Sequence, residues 1–294
     1  MTVSVINNGV ETQLDDGAFV ELVGHDGWGM PPNHRLTIRG PEQHGETDYG
    51  YRLDPRIGKL LFMFPDAELA DMYAHRDQLR QLFKPQANQI IKWVNPDGSV
   101  RYFDGHLAGD IAVPWSVKNW AAQQATVLFK VENGYCYDPV GKTQTFAYGA
   151  GAMPFDIPFV IPFGIGGSSI NQTNTFAYNG EWPSFPQIIA TGPITNLLMT
   201  HQQSGLKIQL KAGTTINAGD RFTFDLRYGY KTVIDASGNR QNSTLTDDSG
   251  LAHFAILDAD SGAPGGNNSI NVQGSGITAA TEIDINYFEN YLGR

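Results

Sequence analysis

Leu206-Lys207-Ile208-Gln209-Leu210 and, past the turn Asn217-Ala218-Gly219-Asp220, Phe222-Thr223-Phe224-Asp225-Leu226 set an apolar side chain at every second position. Successive side chains of a strand point to opposite faces, so this period describes strands with one face in a core and the other in water. The alternation returns in Val127, Phe129 and Val131, and again in Ile283, Ile285 and Tyr287. Trp93 and Val94 run into Asn95-Pro96-Asp97-Gly98, and Val100-Arg101-Tyr102-Phe103 follows, which predicts a hairpin. Asp235-Ala236-Ser237-Gly238-Asn239 and Pro264-Gly265-Gly266-Asn267-Asn268 are further turn clusters. The second half holds no helix-length periodic stretch and reads as an all-β sandwich.

One segment reads as a helix, from Asp66 to Phe83. Its apolar residues Leu69, Met72, Tyr73, Leu79, Leu82 and Phe83 follow the three-and-four spacing of a single face. Asp66 is placed to cap its start, Glu68 sits in the first turn, Arg80 and Lys84 suit the negative end, and Pro85 stops it. Pro and Gly interrupt the pattern at Asp138-Pro139-Val140-Gly141. The expected organisation is therefore a domain over 1–139 with β-structure and the helix, and an all-β domain over 140–294.

Bulk properties exclude several classes. The 294 residues carry a formal net charge of −10, with 12 basic against 18 acidic residues up to residue 139 and 8 against 12 beyond it. Neither part is a basic arm for gripping phosphates, so no sequence-specific nucleic-acid binding is expected. Cys136 is the only cysteine; it lies in a strand-like stretch and reads as a packed core thiol. Met1-Thr2-Val3-Ser4-Val5 lacks the basic region and apolar run of a secretion signal. The most apolar window, 152–170, contains Asp156 and prolines 154, 158 and 162, so no membrane helix is expected there.

Motifs that could carry chemistry are incomplete. Gly141-Lys142-Thr143 resembles the end of a phosphate-binding loop, but the position five residues before Gly141 is Cys136 rather than glycine. Gly274-Ser275-Gly276-Ile277-Thr278-Ala279 fits a short dinucleotide pattern, yet an alternating strand follows where a helix is required. The histidines His25, His34, His44, His75, His106, His201 and His253 show no ligand spacing. His25-Asp26, His34 and His44 with Glu46 and Asp48 read as loop polar residues. Asp247-Asp248-Ser249 and Asp258-Ala259-Asp260-Ser261-Gly262 offer oxygens to a cation without the twelve-residue loop spacing. A carboxylate pair for glycan hydrolysis would meet only in space and leaves no sequence signature.

Several stretches, in order, resemble the distal tail protein family of siphophages. Leu79-Arg80-Gln81-Leu82-Phe83-Lys84-Pro85, the hairpin, and Gly105-His106-Leu107-Ala108-Gly109-Asp110 resemble its N-terminal domain. Asn179-Gly180-Glu181-Trp182-Pro183-Ser184-Phe185-Pro186, leading into Thr191-Gly192-Pro193-Ile194-Thr195-Asn196, resembles its C-terminal half. Gly205-Leu206-Lys207-Ile208, Ala218-Gly219-Asp220, Gly229-Tyr230-Lys231-Thr232-Val233 and Asn286-Tyr287-Phe288-Glu289-Asn290-Tyr291-Leu292-Gly293 continue it.

The resemblance implies a mainly β protein: an N-terminal β-sandwich with one α-helix over about 66–83, then a galectin-like β-sandwich. It implies a structural, non-enzymatic component of the virion tail tip, assembled in the host cytoplasm, with no catalytic, cofactor-binding or metal residues. The implied partners are five other copies in a hexameric ring, the tail tube protein, tail-tip hub, fibre or receptor-binding proteins, and the tape measure protein. No membrane is among them, and DNA would pass through the ring. The competing reading is a carbohydrate-binding module for host surface glycans, suggested by the all-β second half and by Trp115, Trp120, Tyr135 and Tyr137.

Overall fold

The computed structural model describes residues 2–17, 19–64, 68–113, 123–147 and 169–294. Asp66, Trp115, Trp120 and most of the 152–170 window lie outside the described residues. The chain divides into two compact units, Met1–Pro139 with Asn290–Arg294, and Val140–Glu289. The second domain therefore does not run to residue 294: β21 (Asn290–Tyr291) pairs with β10 (Cys136–Tyr137) and returns the last residues to the first unit. Backbone pairing across more than 150 residues of sequence leaves no local signal, so the reading of 140–294 could not find this return.

The first unit is built on β1 (Thr2–Asn7), β2 (Val10–Gln13), β3 (Glu21–Asp26), β6 (Arg56–Met63), β7 (Gln89–Val94), β8 (Val100–Ala112) and β9 (Gln124–Val131). These run in the order β2-β1-β7-β8-β9-β6-β3, with β10 added on β8 and β21 on β10. The 13-residue β8 joins both halves of this sheet. Its beginning pairs with β7, its end with β9, and the register shifts between Leu107 and Ile111. Both halves turn their apolar faces to one core, with Val3, Val5, Ile91, Trp93 and Phe103 from one and Leu60, Phe62, Val127 and Phe129 from the other.

Trp28 sits at the centre of this core. Its ring lies 5.5 Å from Trp93 and 5.0 Å from Phe103, and its Nε1–H donates to the Lys59 carbonyl at 3.1 Å. Residue 58 must be glycine because a Cβ there would fall 2.3 Å from the indole. The predicted hairpin joins β7 to β8. Asp97 accepts the Ser99 N–H at 2.9 Å, Gly98 N–H reaches the Asn95 carbonyl at 3.0 Å, and Gly98 takes φ +85°.

The helix α1 spans Leu69–Leu82, with Glu68 at its N-cap position. Its covered face is narrower than the sequence pattern suggests. Met72, Leu79 and Phe83 are buried, whereas Leu69 is 44% and Tyr73 43% exposed. Periodicity tells which residues share a helical face, but how much of that face a neighbour covers is a tertiary matter. Leu79→Asp is expected to destabilise the protein by about 3 kcal/mol or more, because it leaves a carboxylate in an apolar site. The exposed positions should tolerate Leu69→Ala, Asp71→Ala and Gln78→Ala within about 0.5–1 kcal/mol. Denaturant midpoints of the four variants check this.

The second unit is a sandwich of two five-stranded sheets among the described residues. One runs β11 (Lys142–Ala147), β20 (Glu282–Tyr287), β13 (Gln187–Thr191), β17 (Arg221–Asp225), β18 (Thr232–Asp235). The other runs β12 (Ser169–Ala177), β19 (Asn267–Ser275), β14 (Ile194–His201), β15 (Lys207–Gln209), with β16 (Thr215–Ile216) on β14. All of these pairings are antiparallel. Inward residues Ile188, Ala190, Phe222, Phe224, Ile283 and Ile285 of the first sheet share a core with Ile194, Met199, Ile208, Ile270 and Val272 of the second. Phe222 and Phe224, whose alternation predicted a strand, supply part of this core.

Candidate interaction surface

The remaining strands, β4 (Asn33–Ile38) and β5 (Thr47–Leu53), form a two-stranded antiparallel sheet of their own. Every residue of β4 is exposed. Leu36 is 44%, Ile38 61%, Tyr49 66% and Tyr51 48% accessible, the densest run of large exposed apolar groups in the first unit's described residues. A lone hairpin is marginal in water, so local bonds have to hold this one. Arg35 donates to Asp48 at 2.8 Å and lies 5.6 Å from the Tyr51 ring centre. Gln43 ties the turn, accepting the Gly40 N–H at 3.0 Å and donating to Thr47 Oγ1 at 2.8 Å. At its base, Asp54 N–H reaches the Pro32 carbonyl at 2.9 Å. His34, Arg35, Leu36, Thr37, Ile38 and Tyr49 line a shallow concavity on this hairpin. An exposed two-stranded sheet that carries Leu36, Ile38, Tyr49 and Tyr51, and whose outer edges pair with no strand among the described residues, presents both side chains and backbone groups to another protein.

The residues weighed for chemistry scatter. Lys142 lies at the start of β11 and ion-pairs with Glu289 at 2.5 Å, and Gly274 and Ser275 end β19. Asp248 pairs with Lys207 at 2.5 Å, and Asp258 is buried, accepting Asp260 N–H at 3.3 Å. His25 packs edge-on against Trp93 at 5.1 Å and contacts Arg294, while His106 lies 3.9 Å from Glu132. Among the described residues, no three His, Cys, Asp or Glu side chains converge as a metal site. Tyr135 is half-buried, and Tyr137 packs on Tyr102 at 5.9 Å. Burial pushes the Tyr137 phenol up to about 12, with Asp104 and Tyr102 adding to the effect.

Two polar centres escaped the sequence reading. Arg56 is 1% exposed and donates to four backbone carbonyls: Gly134 at 2.7 Å, Trp28 at 3.2 Å, Gly29 at 2.6 Å and Leu292 at 2.6 Å. Cys136, also buried, places its sulfur 3.1 Å from the Gly293 carbonyl. Together they anchor the returning segment, where Arg101 stacks on Tyr291 at 3.6 Å and Arg294 on Trp93 at 4.5 Å. In the second unit, Asn268 serves as a hub for His201, Leu257 and Gly266.

No protein-family model matches the sequence, and no curated protein matches it. Among solved structures, the baseplate of phage P2 in its activated conformation with Ca aligns over 97% of each chain, at TM-score 0.47 and 8% identity. The Dit protein of SPP1, a paradigm of the hub adsorption apparatus in phages infecting Gram-positive bacteria, aligns over 99% of each chain at TM-score 0.62 and 12% identity. At that identity the likeness speaks for the fold, and it says that this chain, through both units, is built like the SPP1 Dit protein.

Proposed function

We propose that the protein is a structural component of a bacteriophage tail tip, a distal tail protein that forms a hexameric ring between the tail tube and the adsorption apparatus. The observation that carries this reading is the fold likeness to a hub protein over 99% of each chain. Ring formation needs a head-to-tail contact whose rotation closes, and the β4–β5 hairpin supports it by exposing Leu36, Ile38, Tyr49 and Tyr51 on an unpaired two-stranded sheet in the first unit. In the ring, Leu36, Ile38 and Tyr49 would be covered by the neighbouring copy. The partners of this ring are the tube protein, the tape measure protein and the tail-tip fibre or receptor-binding proteins, and its place is the virion tail tip, with assembly in the host cytoplasm. The role is structural and not enzymatic. DNA would pass through the bore, and the charge of −10 on each of six copies suits a lumen to which phosphates do not adhere.

The test is electron microscopy of the tail together with the double variant Ile38→Asp/Tyr49→Ser. Six-fold density at the tube end is expected for the wild type. The variant should keep its melting temperature within about 2 °C, since the residues contribute to no core, yet fail to enter the ring. A single copy of the chain per tail, or a bore lined by Lys and Arg, would overturn the proposal.

A further inference from the structure

The strand β12 is an edge of the second unit, and among the described residues it pairs with β19 alone. An edge strand offers its N–H and C=O groups to any second strand, and proteins guard such edges with charges, prolines, bulges or short length. The outer strands β2, β3, β11, β15 and β18 follow that rule, carrying Glu11, Asp26, Lys142, Lys207 and Asp235. β12 does not. It runs for 9 residues without a charge or a proline. Its register with β19 is continuous from Ser169 opposite Ser275 to Ala177 opposite Asn267, with no bulge.

Which groups face the open side follows from β19. Ser269 donates its N–H to Gln203 Oε1 at 2.8 Å and accepts the Gln202 N–H at 2.9 Å, both on its β14 flank, away from β12. Ser269 stands opposite Thr175, so that pair exchanges no backbone bonds, and the N–H and C=O of Thr175 point to the open edge. By the alternation of the strand, those of Asn171 and Thr173 do the same. Their side chains are tied back to β19. Asn271 Nδ2 donates to Asn171 Oδ1 and to Thr173 Oγ1, each at 2.9 Å, and Thr175 Oγ1 lies 2.8 Å from Ser269 Oγ.

The residues of this edge decide which strand fits it. Outward from Thr173, the chemistry repeats on both sides: the amides Gln172 and Asn174, the polar and exposed Asn171 and Thr175, the buried apolar Ile170 and Phe176, the small Ser169 and Ala177. A second β12, laid antiparallel about a two-fold axis at Thr173, sets each of these against its like. Inward residues meet inward residues. The edge-facing positions Asn171, Thr173 and Thr175 then exchange about six backbone hydrogen bonds with the other copy. With no charge on either strand, two identical copies meet without repulsion across the seam.

We propose that two copies of the chain, when not assembled in a ring, associate by pairing β12 with β12 antiparallel about Thr173. The contact is isologous, unlike the head-to-tail contact of a ring, and does not rest on that reading. It covers an edge that would otherwise recruit strands at random. An interface of this size belongs to the weak class. Ultracentrifugation of the full chain from about 1 μM to about 1 mM should therefore show a reversible monomer–dimer equilibrium. Asn171→Lys/Thr175→Lys sets like charges opposite each other at two pairs and should weaken the dimer about ten-fold or more. Asn171→Glu/Thr175→Glu should do the same. Mixing the two variants in equal amounts should restore an affinity within about three-fold of wild type, which damaged folding would not allow. Ile38→Asp/Tyr49→Ser, which blocks the ring contact, should leave the dimer unchanged and so separates the two associations. The proposal is overturned by a wild type that stays monomeric at about 1 mM, by charged variants that dimerise as the wild type does, or by mixed variants that remain apart.

Discussion

Replacing Arg56 by methionine is expected to lower the stability of the first unit by about 4 kcal/mol, because it removes a buried guanidinium that donates to four backbone carbonyls, two of them on the buried residues Trp28 and Gly134. Methionine fills much of the volume but supplies no donor. The carbonyls of Trp28, Gly29, Gly134 and Leu292 then lose the N–H groups that now sit 2.6–3.2 Å away. The contact of the guanidinium with Phe103, at 5.2 Å, goes as well. Arg56→Lys should recover little of the loss, since a single ammonium has three donors and no planar fork to span carbonyls from separate segments. Hydrogen exchange on the full chain would locate the effect. Protection should fall across β6, β10 and the returning β21 while the β12–β19 pair of the second unit keeps its own. Uniform loss across both units, or a change under about 1 kcal/mol, would show that Arg56 is not the anchor described.

Asn268→Ala should cost the second unit a comparable amount, about 4 kcal/mol. The Asn268 amide has all its capacity in use. Its Nδ2 donates to the carbonyls of Leu257 at 2.8 Å and Gly266 at 2.9 Å, and its Oδ1 accepts from Leu257 N–H at 2.8 Å and His201 Nε2 at 2.9 Å. That geometry assigns the His201 proton to Nε2 and leaves Nδ1 to accept from Ser204 at 2.9 Å. Burial lowers the His201 pKa from 6.5, against a smaller opposing contribution from Asn268. Below pH 6.5 the unfolded chain therefore binds a proton that the folded chain resists. The stability contributed by neutral His201 is complete above 6.5 and declines as the pH falls toward its lowered value. A His201→Gln variant should lose that pH dependence, and denaturant titrations between pH 5 and 8 on both proteins would show it. An unchanged slope would mean that His201 takes up its proton freely in the folded state.

These two centres mark how far the linear sequence carries. The alternation of Phe222 with Phe224, of Val127 with Phe129, and of Ile283 with Ile285 determined which segments become strands and which side chains enter a core. Those properties depend on neighbours two residues apart. The Asn95-Pro96-Asp97-Gly98 turn was legible for the same reason, and so was the presence of α1. The extent of its buried face was not, since Leu69 obeys the period and still lies in water. The order of family-like segments pointed to the architecture, because a fold shared at 12% identity persists in spacing and turn chemistry more than in residues.

Only the tertiary structure decided what rests on distant pairings. Arg56 reads as an ordinary charged strand residue until Leu292, 236 positions later, comes to its guanidinium. In the sequence Asn268 reads as part of a turn cluster that any loop could contain; in the structure it lies in β19 and becomes a hub because the chain brings His201, 67 positions away, against it. The β4–β5 hairpin carries aromatic and aliphatic residues of the same types as those in the core. Sequence reports the apolar character of these side chains, but whether such a side chain is covered depends on what the folded chain sets beside it.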